Sequence, residues 1–543
     1  MSLKRRNRDG DSCDNGSCDD GSCDDGSCDD GSYNGGLCGD GGSTETSDVH
    51  KAACLLHPQF DRDIRFGLFG AQPCTLDEAI QAALNTEAFL RMESDRRQYN
   101  RVLLSQEEEQ DVTVKDKDTA DKSMGVSENS TTLMIEAFLD WFIAFRDPRE
   151  IWANHQSFLI AEITYHILAV LLVTHAFRHG GRFAWYLLAI FIHGLVVESI
   201  SYVLPDIDNF WHAQGTVMLL AKRLPTYIIC VYYMFMYPSF VAVSRLRLPT
   251  WSEPFAHALV TVLLDIPYDI MGIKHMWWTW HDTDPNIYDR YYWVPITSFF
   301  FWATFMCSHN FLFFAVPRWF GSKAGKYESN SMFVELVSAA VAGIFAFPLG
   351  TIQFIIIYHI PHDLYGVPTG ICLGVLFAVY VLMVWIGDRN PGDGARPFGK
   401  HGGAPLFDNI GIAVTVHYLL YIVLVFFTTP ASFQSIGLHE ETGNCQDTTS
   451  MYTALGKIVH KKKYLCTSNY DEAYFDWHCL PGQRPPQDYS RWYTICGNDY
   501  PNHFEYCMLV TAHALFGFLV YYQMLSRSGK NIDPSKMYKL KTK

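Results

Sequence analysis

The 543-residue chain is 49% hydrophobic and only 18% charged, with a formal net charge of −15. That charge lies largely outside the apolar runs, and no basic stripe or nucleic-acid module is present, so nucleic acid is excluded as a partner. Long apolar runs between short polar loops exclude an ordinary soluble domain, whose helices would each carry one charged face.

A bilayer's hydrocarbon core takes about 20 mostly apolar residues per helical span. The expected fold class is therefore all-α, a polytopic transmembrane helix bundle of about nine spans (eight to ten). It follows a polar, Gly-rich, acidic leader over residues 1–130. Residues 12–31 repeat a five-residue unit, with Cys13, Cys18, Cys23 and Cys28. Their spacing lacks the paired pattern of zinc sites, so a disordered low-complexity tract is expected. The opening Met1-Ser-Leu-Lys-Arg-Arg6 has no apolar stretch behind it, which leaves the first span as the insertion signal. Residues 76–98 and 131–146 read as short amphipathic helices. The second, within an interfacial segment over 131–156, is suited to lying along the bilayer surface.

The expected spans are Ser157–Phe177, Phe183–Leu204, Leu224–Val243, Phe255–Ile273 and Val294–Val316, then Met332–His359, Pro368–Ile386, Phe407–Thr429 and Phe504–Leu525. Basic residues favour cytoplasmic loops. The tail after Leu525 holds Arg527, Lys530, Lys536, Lys539, Lys541 and Lys543, which places the C-terminus in the cytoplasm. The loops with Arg245 and Arg247, with Arg318, Lys323 and Lys326, and with Arg389, Arg396 and Lys400 then fall on the same side. The segment from Pro430 to His503 lies outside or in a lumen, and its Cys445, Cys466, Cys479 and Cys496 suit two disulfides in an oxidising compartment. Nine spans put the N-terminus on that side too, which sits awkwardly with a leader lacking a signal peptide: either the tail is translocated or the span count differs by one. The protein is thus expected in the plasma membrane or an endomembrane, with the lipid bilayer as its partner.

Five acids stand inside apolar runs: Glu162, Glu198, Asp265, Asp269 and Glu335. At about 2.5–3.5 kcal/mol each at mid-bilayer, they should face the bundle interior or water. Histidines join them at His166, His193, His257, His309, His417 and His513. His257, Thr261, Asp265 and Asp269 step by four down one segment, with Pro267 loosening the turn between the carboxyls. Structural pairing and chemistry are both open to such groups, although ionisable residues within a membrane mark pathways or chemistry by default.

A second concentration follows the even-numbered spans: Asp206, Asp208, Trp211 and His212; then His275, Trp277, Trp278, Trp280, His281, Asp282 and Asp284; then His359, His362 and Asp363. An interfacial aromatic belt accounts for the tryptophans, and His359-Ile-Pro-His362-Asp363 is the candidate metal-binding set. Each of these three segments has an acid in a span (Glu198, Asp265, Glu335), a His-bearing loop, and a proline opening the next span (Pro225, Pro295, Pro368). This suggests a repeated helix–loop–helix unit, a device of transporters that bring acids to the midplane.

The stretch from Asp265-Ile-Pro-Tyr-Asp269 through Trp278-Thr-Trp280 to Trp293-Val-Pro295, with Glu198 and Tyr202 before it, resembles microbial membrane carotenoid hydratases over about residues 190–310. Over its whole length the chain looks more like an uncharacterised animal multi-pass family, from which no activity follows. The local resemblance implies an intramembrane enzyme acting on an isoprenoid or other lipid by hydratase- or isomerase-like acid–base chemistry. Asp265, Asp269 and Glu198 would be its proton donors, with His257 and Tyr202 positioning them. A proton- or ion-coupled transporter using the same acids as relay groups is the alternative, and a receptor or scaffold whose Cys-rich segment binds a partner is a third. The residues name no cofactor.

Overall fold

A computed structural model describes residues 138–526, apart from 140, 205–206, 247, 282–284, 390–407, 469–471 and 487–488. The cysteine repeat, the helix expected at 76–98, the basic tail after Ser526, and Asp206, Arg247, Asp282, Asp284, Arg396 and Lys400 lie outside the described residues.

Among the described residues, nine helices are long and apolar enough to cross a bilayer. A seven-residue helix, α1 (Pro148–Asn154), precedes them; its first turn is capped by the Asp147 side chain, which accepts from the Arg149 amide. The spans are α2 (Gln156–His179), α3 (Phe183–Val203), α4 (Thr226–Ser244), α5 (Glu253–Lys274) and α6 (Ile296–Trp319). They continue with α7 (Met332–Phe354, running on as a π-helix to Leu364), α8 (Thr369–Arg389), α9 (Asn409–Phe427) and α10 (His503–Ser526). Every expected span is present, because the apolar runs fix the segments and polar caps or prolines end them. Pro225 and Pro295 cap α4 and α6, while Ser331 and Asp408 cap α7 and α9 through their side chains.

The apolar windows of α4, α5 and α6 are 83%, 83% and 78% buried, against 28% for α7 with its π extension and 22% for α8. The first three therefore form the centre and the others the rim. Polar side chains on the central helices are shielded from lipid by protein on every side, the arrangement that membrane insertion energetics demand of ionisable groups.

The helices expected to be followed by matching loops are joined by matching hairpins. After α3 come β2 (Phe210–His212), β3 (Val217–Leu219) and β4 (Leu224–Pro225), and β3 pairs with β4. After α5 come β5 (Trp278–Trp280), β6 (Arg290–Tyr291) and β7 (Val294–Pro295), and β6 pairs with β7. The two loops then pair with each other through antiparallel β2 and β5, with Trp211 opposite Thr279. The second hairpin turns on Tyr292 and Trp293, held at φ 49° and 71°, the left-handed backbone that a two-residue turn requires and bulky residues seldom adopt. The third unit departs from the pattern: the π-helix of α7 leads into Pro368 with no hairpin.

Two segments differ from expectation. The interfacial stretch does not remain helical to residue 146; Ile143–Phe145 form β1, which adds antiparallel to β3. A short apolar run beside an open hairpin edge gains backbone hydrogen bonds that a surface helix could not offer it. The Cys-rich segment, expected only as a disulfide-bearing loop, carries seven short strands among its described residues. Strand β8 (Gln434–Leu438) pairs with β14 (Trp492–Gly497), which pairs with β13 (Phe475–Asp476), and β10 (Thr448–Tyr452) pairs with β11 (Ile458–Lys462). Disulfides join Cys445 to Cys466 and Cys479 to Cys496. This cap sits on the hairpin end of the bundle: Trp211 packs with Leu438 and Trp492, and the Lys274 ammonium donates to the Asp499 carbonyl at 2.9 Å.

Candidate functional site

The five intramembrane acids are all buried, but their surroundings divide them. Glu335, in the first turn of α7, receives the Arg182 guanidinium at 2.9 Å on both oxygens, and the amide and side chain of Asn330 at 2.9 and 2.7 Å. Glu162 on α2 accepts from the backbone and hydroxyl of Thr216, each at 2.9 Å, and so anchors the turn before β3. Glu198 on α3 accepts the Tyr232 hydroxyl at 3.0 Å and stands 3.3 Å from His212 Nε2. These three carboxyls are compensated, as buried charges must be.

The remaining two acids are not compensated. Asp269 receives one hydroxyl, from Ser298 on α6, at 2.9 Å. Asp265, one turn earlier and fully buried, has no partner for its oxygens beyond the Asp269 carboxyl. The nearest charge acting on it is the Asp269 carboxyl itself. Lys274, the only cation on the helix, points away to Asp499. Two carboxyls one turn apart, facing each other and short of donors, form a site that can take up and release protons or hold a cation.

The residues expected to position these acids do other things. His257 Nε2 lies 3.0 Å from the Met236 carbonyl and 3.1 Å from the Tyr186 hydroxyl, two turns from Asp265. The Tyr202 hydroxyl has no partner, and its ring lies under the Arg223 guanidinium at 5.3 Å. Neither donates to an acid. Glu198 is brought to the hairpin end, tied to His212, rather than into the Asp265–Asp269 pair.

Around the pair stands a shell of aromatic hydroxyls. His417 on α9 donates from Nε2 to the Leu264 carbonyl at 3.0 Å, so its Nδ1 accepts from Tyr165 at 3.2 Å; Tyr165 in turn bonds Tyr421. Tyr268 packs edge-on against Tyr165 and stacks on Trp278. This network fixes one turn of α5 against α2 and α9.

A second set was visible in the sequence only as scattered intramembrane histidines. His193 (α3), His257 (α5) and His309 (α6) are each completely buried. The His193 and His309 rings lie 5.3 Å apart, and Tyr186 packs edge-on against both His309 and His257. Single-residue periodicity gave no sign of the clustering, because the three helices are 64 and 52 residues apart along the chain at these positions.

In the expected metal set, both Nδ1 atoms are committed. His359 Nδ1 contacts Asp363 Oδ2 at 2.9 Å, and His362 Nδ1 donates to the Val367 carbonyl at 2.9 Å. Among the described residues, the group whose ligand atoms lie within 4.8 Å of one another is Asp476, His478 and Cys496. Cys496 is held in a disulfide, which removes the thiolate a metal would need.

At the seam between cap and bundle, His281 Nδ1 meets Glu472 at 3.2 Å, and Thr279 lies between His281 and His439 at 3.2 and 3.4 Å. Burial, with His281 beside it, pushes the His439 imidazole well below its ordinary pKa. That keeps His439 neutral and makes this a packed polar seam.

A family model described as Domain of unknown function (DUF7802) matches residues 119–526. No curated protein and no solved structure matches the chain.

Proposed function

The chain belongs to the family of the Domain of unknown function (DUF7802), a premise that supplies no activity, and we propose from the geometry that it is a proton-translocating membrane transporter. Its protonatable centre is the Asp265–Asp269 pair. One observation carries this reading: of the five intramembrane acids named from the sequence, Asp265 alone has neither a cation nor a donor other than the neighbouring acid, Asp269. A structural carboxyl would be compensated like Glu335, whereas a relay group must be free to exchange its proton. The orientation follows the basic loops, with Arg245, Arg318 and Lys326 at the cytoplasmic end and the disulfide-bonded cap outside or lumenal.

The test uses the full chain in liposomes with an internal pH dye and an imposed potassium diffusion potential. Wild-type protein should acidify or alkalinise the lumen according to the sign of the potential. D265N and D269N should reduce the signal to that of protein-free liposomes, because an amide neither ionises nor delivers a proton. Flux equal to wild type in both variants, or no flux in wild type, overturns the proposal.

One observation favours the enzymatic alternative. An apolar cleft of about 220 Å³ opens between α5, α6 and α8, lined by Ile266, Tyr291, Ile296, Phe299, Leu373 and Phe377, on the same turn of α5 as the acids. It suits a lipid chain, as the resemblance to carotenoid hydratases implies. Neither Asp265 nor Asp269 lines it, which is why transport is the leading reading. A defined isoprenoid co-purifying with the protein, identified by mass spectrometry, would reverse the order.

A further inference from the structure

Resting on the proton-transport reading, we propose that His193, His257 and His309 form the second half of the path, passing protons between the Asp265–Asp269 pair and the bundle end at Glu253. The clue is a set of bare ring nitrogens. A carbonyl can only accept, so His193 must direct its Nδ1–H at the Gly343 carbonyl, 3.2 Å away, leaving Nε2 as a lone pair. His257 likewise directs Nε2–H at the Met236 carbonyl, leaving Nδ1 bare. His193 Nε2 has no protein partner, His257 Nδ1 and one nitrogen of His309 have only the Met306 and Ala189 carbonyls beside them, outside good hydrogen-bond geometry, and all three rings are completely buried. Buried polar atoms seldom go unpaired, and groups of them are met by internal water.

The register of the antiparallel helices α5 and α6 places these atoms on one route. The bond from Ser298 to Asp269 sets the two helices level at that point. At a rise of about 1.5 Å per residue, Asp265 lies about 6 Å further along the bundle, Thr304 about 9 Å, and His309 and His257 about 17 and 18 Å. Thr304, fully buried with its own hydroxyl unpartnered, thus stands between the acids and the imidazoles. Past His257 the route reaches the Tyr186 hydroxyl, 3.1 Å from its Nε2. At the bundle end itself, Glu253 opens α5 and receives the Tyr327 hydroxyl at 2.9 Å and the Lys326 ammonium.

The three rings play unequal parts. His309, held only loosely by the Ala189 carbonyl, takes a proton on one nitrogen and releases one from the other, one proton in and one out; the ring then turns over to reset. His193 and His257, each anchored through an N–H, take a proton on the bare nitrogen and return it from the same atom. Water fills the steps between them, since the three bare nitrogens do not converge as metal ligands do among the described residues.

The test is the same liposome measurement on H309Q, H309N and H193Q, with the metal content of the purified wild type measured by plasma mass spectrometry. Thermal unfolding in detergent selects variants that fold as wild type, and the two His309 substitutions differ in size so that one packing failure does not decide the matter. Flux should fall to the level of protein-free liposomes in the His309 variants and decline partially in H193Q, and the wild type should be free of stoichiometric metal. Full flux in a folded His309 variant, beside loss in D265N, overturns the histidine relay and leaves the acid pair standing. Absence of D265-dependent flux overturns both. One equivalent of transition metal that disappears in H193Q and H309Q also overturns the relay, because coordination would occupy the lone pairs it needs.

Discussion

Replacing Asp265 by Asn and Glu335 by Gln makes matched perturbations with opposite expected costs. Both trade a buried carboxyl for an amide of the same size. Glu335 is 0% exposed at its side chain and faces Arg182, itself 3% exposed, at 2.9 Å. Its neutralisation leaves a buried guanidinium without its counter-charge, and breaking one side of such a pair costs about 3–5 kcal/mol. Asp265 has no cation to leave unpaired, and its one partner, the Asp269 carboxyl, can bond an amide as well as an acid. D265N should therefore fall within about 1 kcal/mol of wild type, because no buried charge loses its counter-charge. Among the described residues the free cysteines Cys307, Cys372 and Cys507 are buried and Cys230 is half-buried, so once the accessible thiols are blocked with N-ethylmaleimide, a fluorogenic maleimide during a thermal ramp reads both variants in detergent. E335Q should react at distinctly lower temperature and D265N alongside or above wild type. Early unfolding of D265N, comparable to E335Q, would show that Asp265 has a structural partner and would remove the ground for giving it a chemical role.

Three further outcomes are expected. Alkylation without reductant, followed by peptide mass spectrometry, should find Cys445 linked to Cys466 and Cys479 to Cys496, and Ser substitutions at either pair should cost about 2–5 kcal/mol; reactive thiols at these four positions in unreduced protein would contradict the cap. Stability should fall on acidification: burial pushes His155 from 6.5 to about 4, so the unfolded chain binds a proton that the folded chain refuses. The contribution is complete above about 6.5 and is lost as pH drops towards 4, to the extent of about 3 kcal/mol; a flat melting temperature across that window would refute it, and His155→Asn should shrink the slope. At Gly272, an added Cβ would fall 2.2 Å from the Trp278 ring, so Gly272→Ala should lower stability by about 1–3 kcal/mol, read in the same maleimide ramp.

What the sequence made legible follows from the range of the interactions involved. The nine spans could be read because about 20 consecutive apolar residues are a local signal, and the prolines opening α4 and α6 are local too. Acid compensation was not legible: Arg182 and Glu335 are 153 residues apart, and nothing in either segment announces the other. For the same reason the sequence ranked Glu198 beside Asp265 and Asp269 as a proton donor, and only the structure separates them by their partners. The strands of the cap escaped notice because they are two to six residues long and are held by disulfides and packing on the bundle. The β2–β5 pairing joins two loops whose likeness was visible as a repeat, yet the repeat could not reveal that its copies bind each other.

The length of α7 with its π extension, 33 residues from Met332 to Leu364, has a mechanical consequence. The 23 α-helical residues alone reach about 34 Å at 1.5 Å per residue, enough to cross a hydrocarbon core of about 30 Å. The whole helix is thus longer than one crossing needs, and at its far end the Asp363 carbonyl receives the Lys457 ammonium at 3.3 Å, at the turn of the β10–β11 hairpin. Deep in the bundle, the same rod carries the Gly343 carbonyl that holds His193 in its tautomer. One continuous helix thus joins the hairpin of the cap to the carbonyl that fixes the His193 ring.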